Sequence, residues 1–173
     1  MIRTPRSTGR VGAGRPPVLA PTPRVAELHL VTLVGTERFA FPAAFVDEVV
    51  DAPLLSWVPD APPGLLGQMR YRDRTVSAYD AALVLGVRRT RDTGTALVLR
   101  DGGVRVVVVV DDAEDLQLVE PDSVRAVPVG ADADGMLRGV CIAAGCGLMS
   151  LVRVDALVAR ATARDALVEG SAR

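Results

Sequence analysis

The chain has 173 residues, 49% of them hydrophobic, with 20 basic and 21 acidic side chains and a formal net charge of −1. That length fits one domain, two at most, with ample apolar material for a core that must be built from Val, Leu and Ala, because aromatics make up only 3%. Apolar runs such as Val106 to Val110 fall far short of the roughly 20 residues a membrane-spanning helix needs, and no apolar signal region follows the amino terminus, so a cytoplasmic protein without membrane insertion is expected.

Residues 1–25 carry Arg3, Arg6, Arg10, Arg15 and Arg24 and no acid, while the rest of the chain holds 15 Arg against 21 acids, a net −6. A basic tail can touch nucleic acid or membrane. Pro5, Pro16, Pro17, Pro21 and Pro23 preclude the amphipathic helix of a transit peptide. The tail reads as a disordered extension. Every basic residue is Arg and none is Lys, which reads as a coding bias.

From there the sequence falls into strand–turn–strand units. Leu28 to Val34, the turn Gly35-Thr36-Glu37 and Arg38 to Phe41 form a first hairpin, with Leu28, Leu30, Thr32 and Val34 at the two-residue period of a sheet. Pro42 ends it. Ala43 to Val50 reads as a helix, with Phe45, Val46, Val49 and Val50 on one face and Asp47, Glu48 and Asp51 elsewhere. Ala52 to Pro63, with four prolines, is an extended connector. Leu65 to Tyr71 and Thr75 to Tyr79 make a second hairpin. Asp80 then caps a short helix that Gly86 stops.

Arg88 to Thr93 is a polar loop. Thr95 to Leu99 and Val104 to Val110 pair around Asp101-Gly102-Gly103, and the unalternating run Val106 to Val110 predicts a strand buried on both faces. Leu116, Leu118 and Val119 suggest a short strand, and Glu120 to Gly135 a loop. Met136 to Ala143 and Leu148 to Val154 form the last hairpin around Gly145 and Gly147. Asp155 caps a terminal helix through about Val168.

A weak repeat runs through these units: the hairpin at Leu30 echoes the one at Leu97, and Gly67-hairpin-Asp80 echoes Gly139-hairpin-Asp155. Eight or more short strands between Gly/Pro turns argue for small barrels.

Catalytic options are thin. His29 is the single histidine; it lies in a predicted strand, and no motif places it beside a nucleophile. Asp111-Asp112 reads as a solvated pair of acids at a strand end. Asp132-x-Asp134-Gly135 fails as a calcium loop, because the loop would begin at Gly130 and reach Cys141 where a Glu belongs. Two thiols, Cys141 and Cys146, cannot close a tetrahedral zinc site, and the single histidine lies more than a hundred residues away; either side of a short turn they could oxidise to a disulfide, but in a cytosolic chain they read better as small buried thiols. Gly12-Ala13-Gly14 is no phosphate loop. No metal and no cofactor are expected. The cluster Arg70-Tyr71-Arg72-Asp73-Arg74 could stack on single-stranded nucleic acid, but reads better as a hairpin tip on an acidic body.

Those residues also carry a family resemblance. Ala61-Pro62-Pro63-Gly64-Leu65-Leu66-Gly67, then Arg72, then Asp80 with Leu83 and Gly86, resembles the most characteristic stretch of CheW-like coupling proteins, in which an A-P segment leads into a G-x-x-N-L-R-G hairpin, V-x-D-L and a short helix. The first hairpin with Phe39, Pro42 and Val46-Asp47-Glu48-Val49 is similar too, as are Val110-Asp111 and the closing Gly139 to Leu157. The resemblance spans roughly residues 26–160, leaving 1–25 as tail and 161–173 as the end of the terminal helix.

It implies a mostly β fold of two small five-stranded SH3-like barrels packed together, with short helices and a C-terminal helix. It implies a non-catalytic adaptor of bacterial chemotaxis signal transduction. Its partners would be the regulatory domain of a chemotaxis histidine kinase, bound through one barrel, and the cytoplasmic tip of chemoreceptors, bound in a groove between barrels. Carried over singly, Arg72 matches the receptor-facing arginine, Glu48 the helix glutamate that pairs with it, and Val46 a receptor contact on the same helix. Arg70, Tyr71 and Asp73 stand where the family has Asn, Leu and Gly, and are accessory-contact candidates. Asp73 is the residue expected to bear any positive φ at that turn. The rival reading is a small-barrel nucleic-acid binder using the Arg70–Arg74 hairpin.

Overall fold

The protein is seen in a computed structural model that describes residues 25–51, 53–90, 94–132 and 134–171, the last eight by backbone alone. Apart from Val25, the Arg/Pro tail lies outside the described residues. Ten strands and two α-helices follow in the order β1 (Glu27–Val34), β2 (Glu37–Pro42), β3 (Val46–Asp51), β4 (Leu65–Tyr71), β5 (Arg74–Asp80), α1 (Ala81–Leu85), β6 (Thr95–Asp101), β7 (Val104–Val110), β8 (Asp112–Val119), β9 (Leu137–Ala143), β10 (Gly147–Val152) and α2 (Val154–Ser171).

The strands form two five-stranded sheets of identical plan. Barrel 1 runs β8-β1-β2-β10-β9 and barrel 2 runs β3-β6-β7-β5-β4. In each, a central antiparallel hairpin (β1–β2 or β6–β7) is joined in parallel to the inner strand of a second hairpin, β2 to β10 and β7 to β5. This is the repeat seen in the sequence. Barrel 2 is contiguous, whereas barrel 1 is assembled from the first two strands and the last three.

Each barrel has its own interior, and a third core lies between them. Val31, Ala40, Cys141, Met149 and Leu151 fill barrel 1; Met69, Tyr71, Val76, Val98 and Val107 fill barrel 2. Phe39 and Phe41 of barrel 1 meet Leu97, Leu99, Val106, Val108 and Val110 of barrel 2 between them. The Val106 to Val110 run is therefore buried on both faces, as its lack of alternation predicts. Both α-helices seal this third core: α1 through Ala81, Ala82 and Val84, α2 through Val154, Leu157, Val158 and Ala161. Asp80 caps α1 by accepting from the Ala82 N–H at 2.9 Å, and Gly86 ends it in the left-handed conformation.

Four expectations are corrected. Ala43 to Val50 is not a helix: a single 3-10 turn, Ala43–Phe45, leads into strand β3. A β-bulge between Val46 and Glu48 adds one residue to the strand and breaks its period of two, leaving an apolar spacing that imitates a helix face. Asp155 does not cap α2. The Leu157 N–H donates to the Arg153 carbonyl, so Arg153 is the capping position, and Asp155 pairs with its guanidinium from the first turn. The short strand at Leu116 extends over eight residues, because Asp112 to Asp115 pair with β1 as well. Asp111 is buried rather than solvated: its carboxylate accepts from the Gly35 N–H and the Thr90 hydroxyl, and its own N–H donates to the Leu33 carbonyl. It ties the β1–β2 turn to the end of β7.

Both thiols are free; Cys141 is buried inside barrel 1 and Cys146 half-buried. His29 faces inward on β1 and is fully buried. Its Nδ1 lies 3.0 Å from the Glu27 carbonyl, to which it donates, and its Nε2 has no hydrogen-bond partner among the described residues. Burial pushes the imidazole below its ordinary range, the Glu27 carbonyl and carboxylate oppose the shift, and Arg138 adds to it. The fold thus holds a neutral ring. Below pH about 6.5 the unfolded chain takes up a proton that the folded chain refuses, so stability is full above that pH and falls beneath it. A lower urea midpoint at pH 5.5 than at pH 8 is expected, and His29→Phe should flatten the difference. Acid–base titration by carboxylates lies lower, so an unchanged slope in the variant would assign the effect elsewhere.

Candidate interaction groove

Four of the residues singled out in the sequence, Glu48, Arg70, Tyr71 and Arg72, converge on one end of barrel 2, and not on a groove between the barrels as the resemblance implies. Strands β3 and β4 are the two outer strands of its sheet, and the seam between them is a groove of about 520 Å³ lined by Glu48, Val50, Pro53, Leu54, Met69, Arg70, Tyr71 and Arg72. Part of the β4 edge is occupied by the connector. Ser56 exchanges two backbone hydrogen bonds with Gln68, at 2.8 and 2.9 Å, and this places Pro53 and Leu54 on the groove wall. Leu54 is 93% exposed and Trp57 78%, which is costly for large apolar side chains unless a partner covers them.

Glu48 on β3, Arg70 and Tyr71 on β4, and Arg72 in the turn that follows therefore share one groove. Val46 does not join them. It packs against the core between the barrels, because the bulge turns it to the other side of β3 from Glu48. Asp73 lines a smaller neighbouring pocket with Tyr71, Arg72, Arg74 and Arg105. The turn also differs from expectation: Arg72, not Asp73, takes the positive φ, at +54°. A left-handed backbone at a long side chain is uncommon and projects Arg72 from the hairpin tip.

Arg72 forms no ion pair with Glu48 among the described residues. Its guanidinium sits over the Tyr71 ring, 5.0 Å from the centroid, within the range of a cation–π contact. Tyr71, which replaces an aliphatic residue of the family pattern, is 5% exposed and its hydroxyl has no hydrogen-bond partner among the described residues.

Sequence reasoning missed the neighbouring charge cluster. Arg100 and Arg105 are directly opposite each other across β6 and β7, and Asp47 lies between them, taking 2.9 Å from Arg100 Nε and 2.8 Å from Arg105 Nε on separate oxygens. A signal did exist. Two arginines symmetric about Gly102-Gly103 face each other in a two-residue hairpin, and like charges so placed destabilise a sheet unless an acid intervenes.

The described residues hold no cluster of His, Cys, Asp and Glu able to bind a metal ion, and no described helix is long and apolar enough to cross a membrane.

Comparison with known proteins agrees with the fold. No curated protein matches the sequence significantly. Among solved structures, the crystal structure of the scaffolding protein TtCheW from Thermoanaerobacter tengcongensis is similar with a TM-score of 0.67 at 14% identity, over 74% of this chain and 89% of that one. At that identity the likeness shows the fold alone: two SH3-like barrels. The CheW-like domain family model matches residues 29–162, and the chain belongs to that family.

Proposed function

We propose that the protein is a non-catalytic, cytoplasmic coupling scaffold, holding the regulatory domain of a chemotaxis histidine kinase against the cytoplasmic tips of chemoreceptors. Residues 26–160 form the coupling unit, with 1–25 as a tail and 161–173 as the helix end. The observation that carries the reading is the convergence of Glu48, on outer strand β3 of barrel 2, and Arg72, in the turn that follows outer strand β4, onto one groove. Membership of a family of scaffolds supports it. Arg70 and Tyr71 line the same groove and act as accessory contacts; Asp73 lies beside it. Val46 contributes through the wall of β3 rather than by direct touch.

Signalling needs no chemistry in such a scaffold. The assembly transmits a change if the receptor grips the groove with different strength in its two states. A planar, permanently charged guanidinium on an exposed turn suits carboxylates on a receptor helix.

Arg72→Glu puts an acid beside Glu48 and repels the same partner groups. It should weaken binding to a receptor-tip coiled coil roughly tenfold, about 1.4 kcal/mol, while binding of the kinase regulatory domain stays within about twofold. Interferometry with both fragments, taken from the same genome, measures this. Loss of both partners would mark unfolding, and retention of both would remove the groove from receptor binding. Oligonucleotide binding that falls steeply between low and high salt would favour the nucleic-acid reading instead.

A further inference from the structure

The end of barrel 2 carries more positive charge than the groove uses. Asp47 is a single acid serving two guanidinium groups. Arg100 holds its carboxyl below the ordinary carboxylate range; partial burial opposes that shift, and Arg105 reinforces it. Asp47 therefore stays ionised and keeps Arg105 fixed on the barrel rim.

Arg105 in turn lines a pocket of about 170 Å³ with Tyr71, Arg72, Asp73 and Arg74. Three guanidinium groups face one carboxylate there, leaving an excess of positive charge. Tyr71 lines this pocket and the groove alike, and its buried hydroxyl has no hydrogen-bond partner among the described residues. An unsatisfied buried hydroxyl is costly, and an incoming anion supplies the acceptor it lacks.

Resting on the groove assignment above, we propose that this pocket is a carboxylate subsite of the same docking surface. It takes an acidic side chain of the partner protein seated in the groove. Arg74 and Arg105 are its contacts, Tyr71 supplies a neutral donor, and Asp47 is the positioning residue for Arg105. A singly charged carboxylate fits better than a phosphate or a polyanion. Asp73 stands on the pocket wall, Asp47 and Glu48 lie close by, and residues 26–173 carry a net −6, a field that opposes dianions and nucleic acid.

The test uses the full chain with labelled arginine, and a capped Ala-Ala-Glu-Ala-Ala peptide, which carries a single carboxylate, as the probe. The single-glutamate peptide should shift the Nε–H resonances of Arg74 and Arg105 more than those of Arg38 and Arg138. Arg105→Gln and Asp47→Asn should weaken the response roughly two- to fivefold, with unchanged thermal melts and partial recovery in Arg105→Lys. Arg138→Gln, on barrel 1, should leave it unchanged. Equal shifts at all arginines, or tighter binding of inorganic phosphate or a dT oligonucleotide, would overturn the proposal. Receptor-tip binding separates the two readings. If the single-glutamate peptide binds but the coiled coil does not, the coupling assignment falls and the subsite stands. If the coiled coil binds and Arg105→Gln leaves its affinity intact, the subsite falls alone.

Discussion

Leu157→Ala is expected to lower the unfolding free energy by roughly 2–5 kcal/mol, the usual cost of emptying a leucine site that cannot collapse. Leu157 is fully buried and sits in the first turns of α2, against the core that both barrels share. Collapse around the gap is resisted from both sides. Strands β6 and β7 are fixed by their own ladders, and the helix is held further on by the Tyr79 hydroxyl, which donates to the Ala161 carbonyl at 3.0 Å. The residues lining the cavity belong to both barrels, so the loss should appear in the whole cooperative transition. Urea unfolding followed by far-ultraviolet circular dichroism and by Trp57 fluorescence should shift together. A change below about 1 kcal/mol, or a loss of helix signal well before the sheets unfold, would show that α2 is an appendage.

Gly67→Ala should be the most damaging single-methyl change on β4. Gly67 has φ of +149°, and a Cβ there would lie 2.5 Å from the Ser56 carbonyl oxygen and 3.3 Å from the Leu55 Cβ. The obstruction is backbone, so no side chain can swing aside. Backbone strain alone costs about 1–3 kcal/mol, and relieving the clash means pushing the connector off the β4 edge. Exchange of the Ser56 and Gln68 amide protons, which close the two-bond bridge, should speed up more than exchange in β6 or β7. Receptor-tip affinity should fall as well, because Pro53 and Leu54 move with the connector. Wild-type exchange at Ser56 would mean that the strand accommodates the methyl group by rotating, and the groove would keep its shape.

The hairpins were legible because each turn carries its glycine or charged tip and each flanking strand its alternation. β7 was legible for the opposite reason: five consecutive valines can be buried only by cores on two sides, and the structure supplies both. The failures have equally local causes. The bulge at Val46–Glu48 inserts one residue into the alternation, and the result mimics a 3.6-residue period; the β-branched Val46, Val49 and Val50 were the better guide. β8 looked short because Asp112, Glu114 and Asp115 are poor strand formers, yet β8 is an outer strand of its sheet, where charge is tolerated and discourages pairing with other chains. Asp111 looked solvated because its partners Gly35 and Thr90 are distant in sequence. Only the family resemblance related Glu48 to Arg72, since nothing local does; their groove within barrel 2 and the Asp47–Arg100–Arg105 cluster were not read at all.

The divided plan of barrel 1 governs the order in which the molecule can be completed during synthesis. Strands β1 and β2 leave the ribosome first, but β8 begins roughly 70 residues after β2 ends, and β9 and β10 come later still. At about 5–20 residues per second, the first hairpin waits seconds with both of its lateral edges unpaired. Barrel 2 emerges in the interval as an unbroken stretch and can close from neighbouring segments alone. Its outer face, Leu97, Leu99, Val106 and Val108, then offers Phe39 and Phe41 an apolar shelter before their own barrel exists. The second barrel can thus serve as an internal template for the first, and lesions in β6 or β7 should leave nascent chains stalled with an open amino-terminal hairpin.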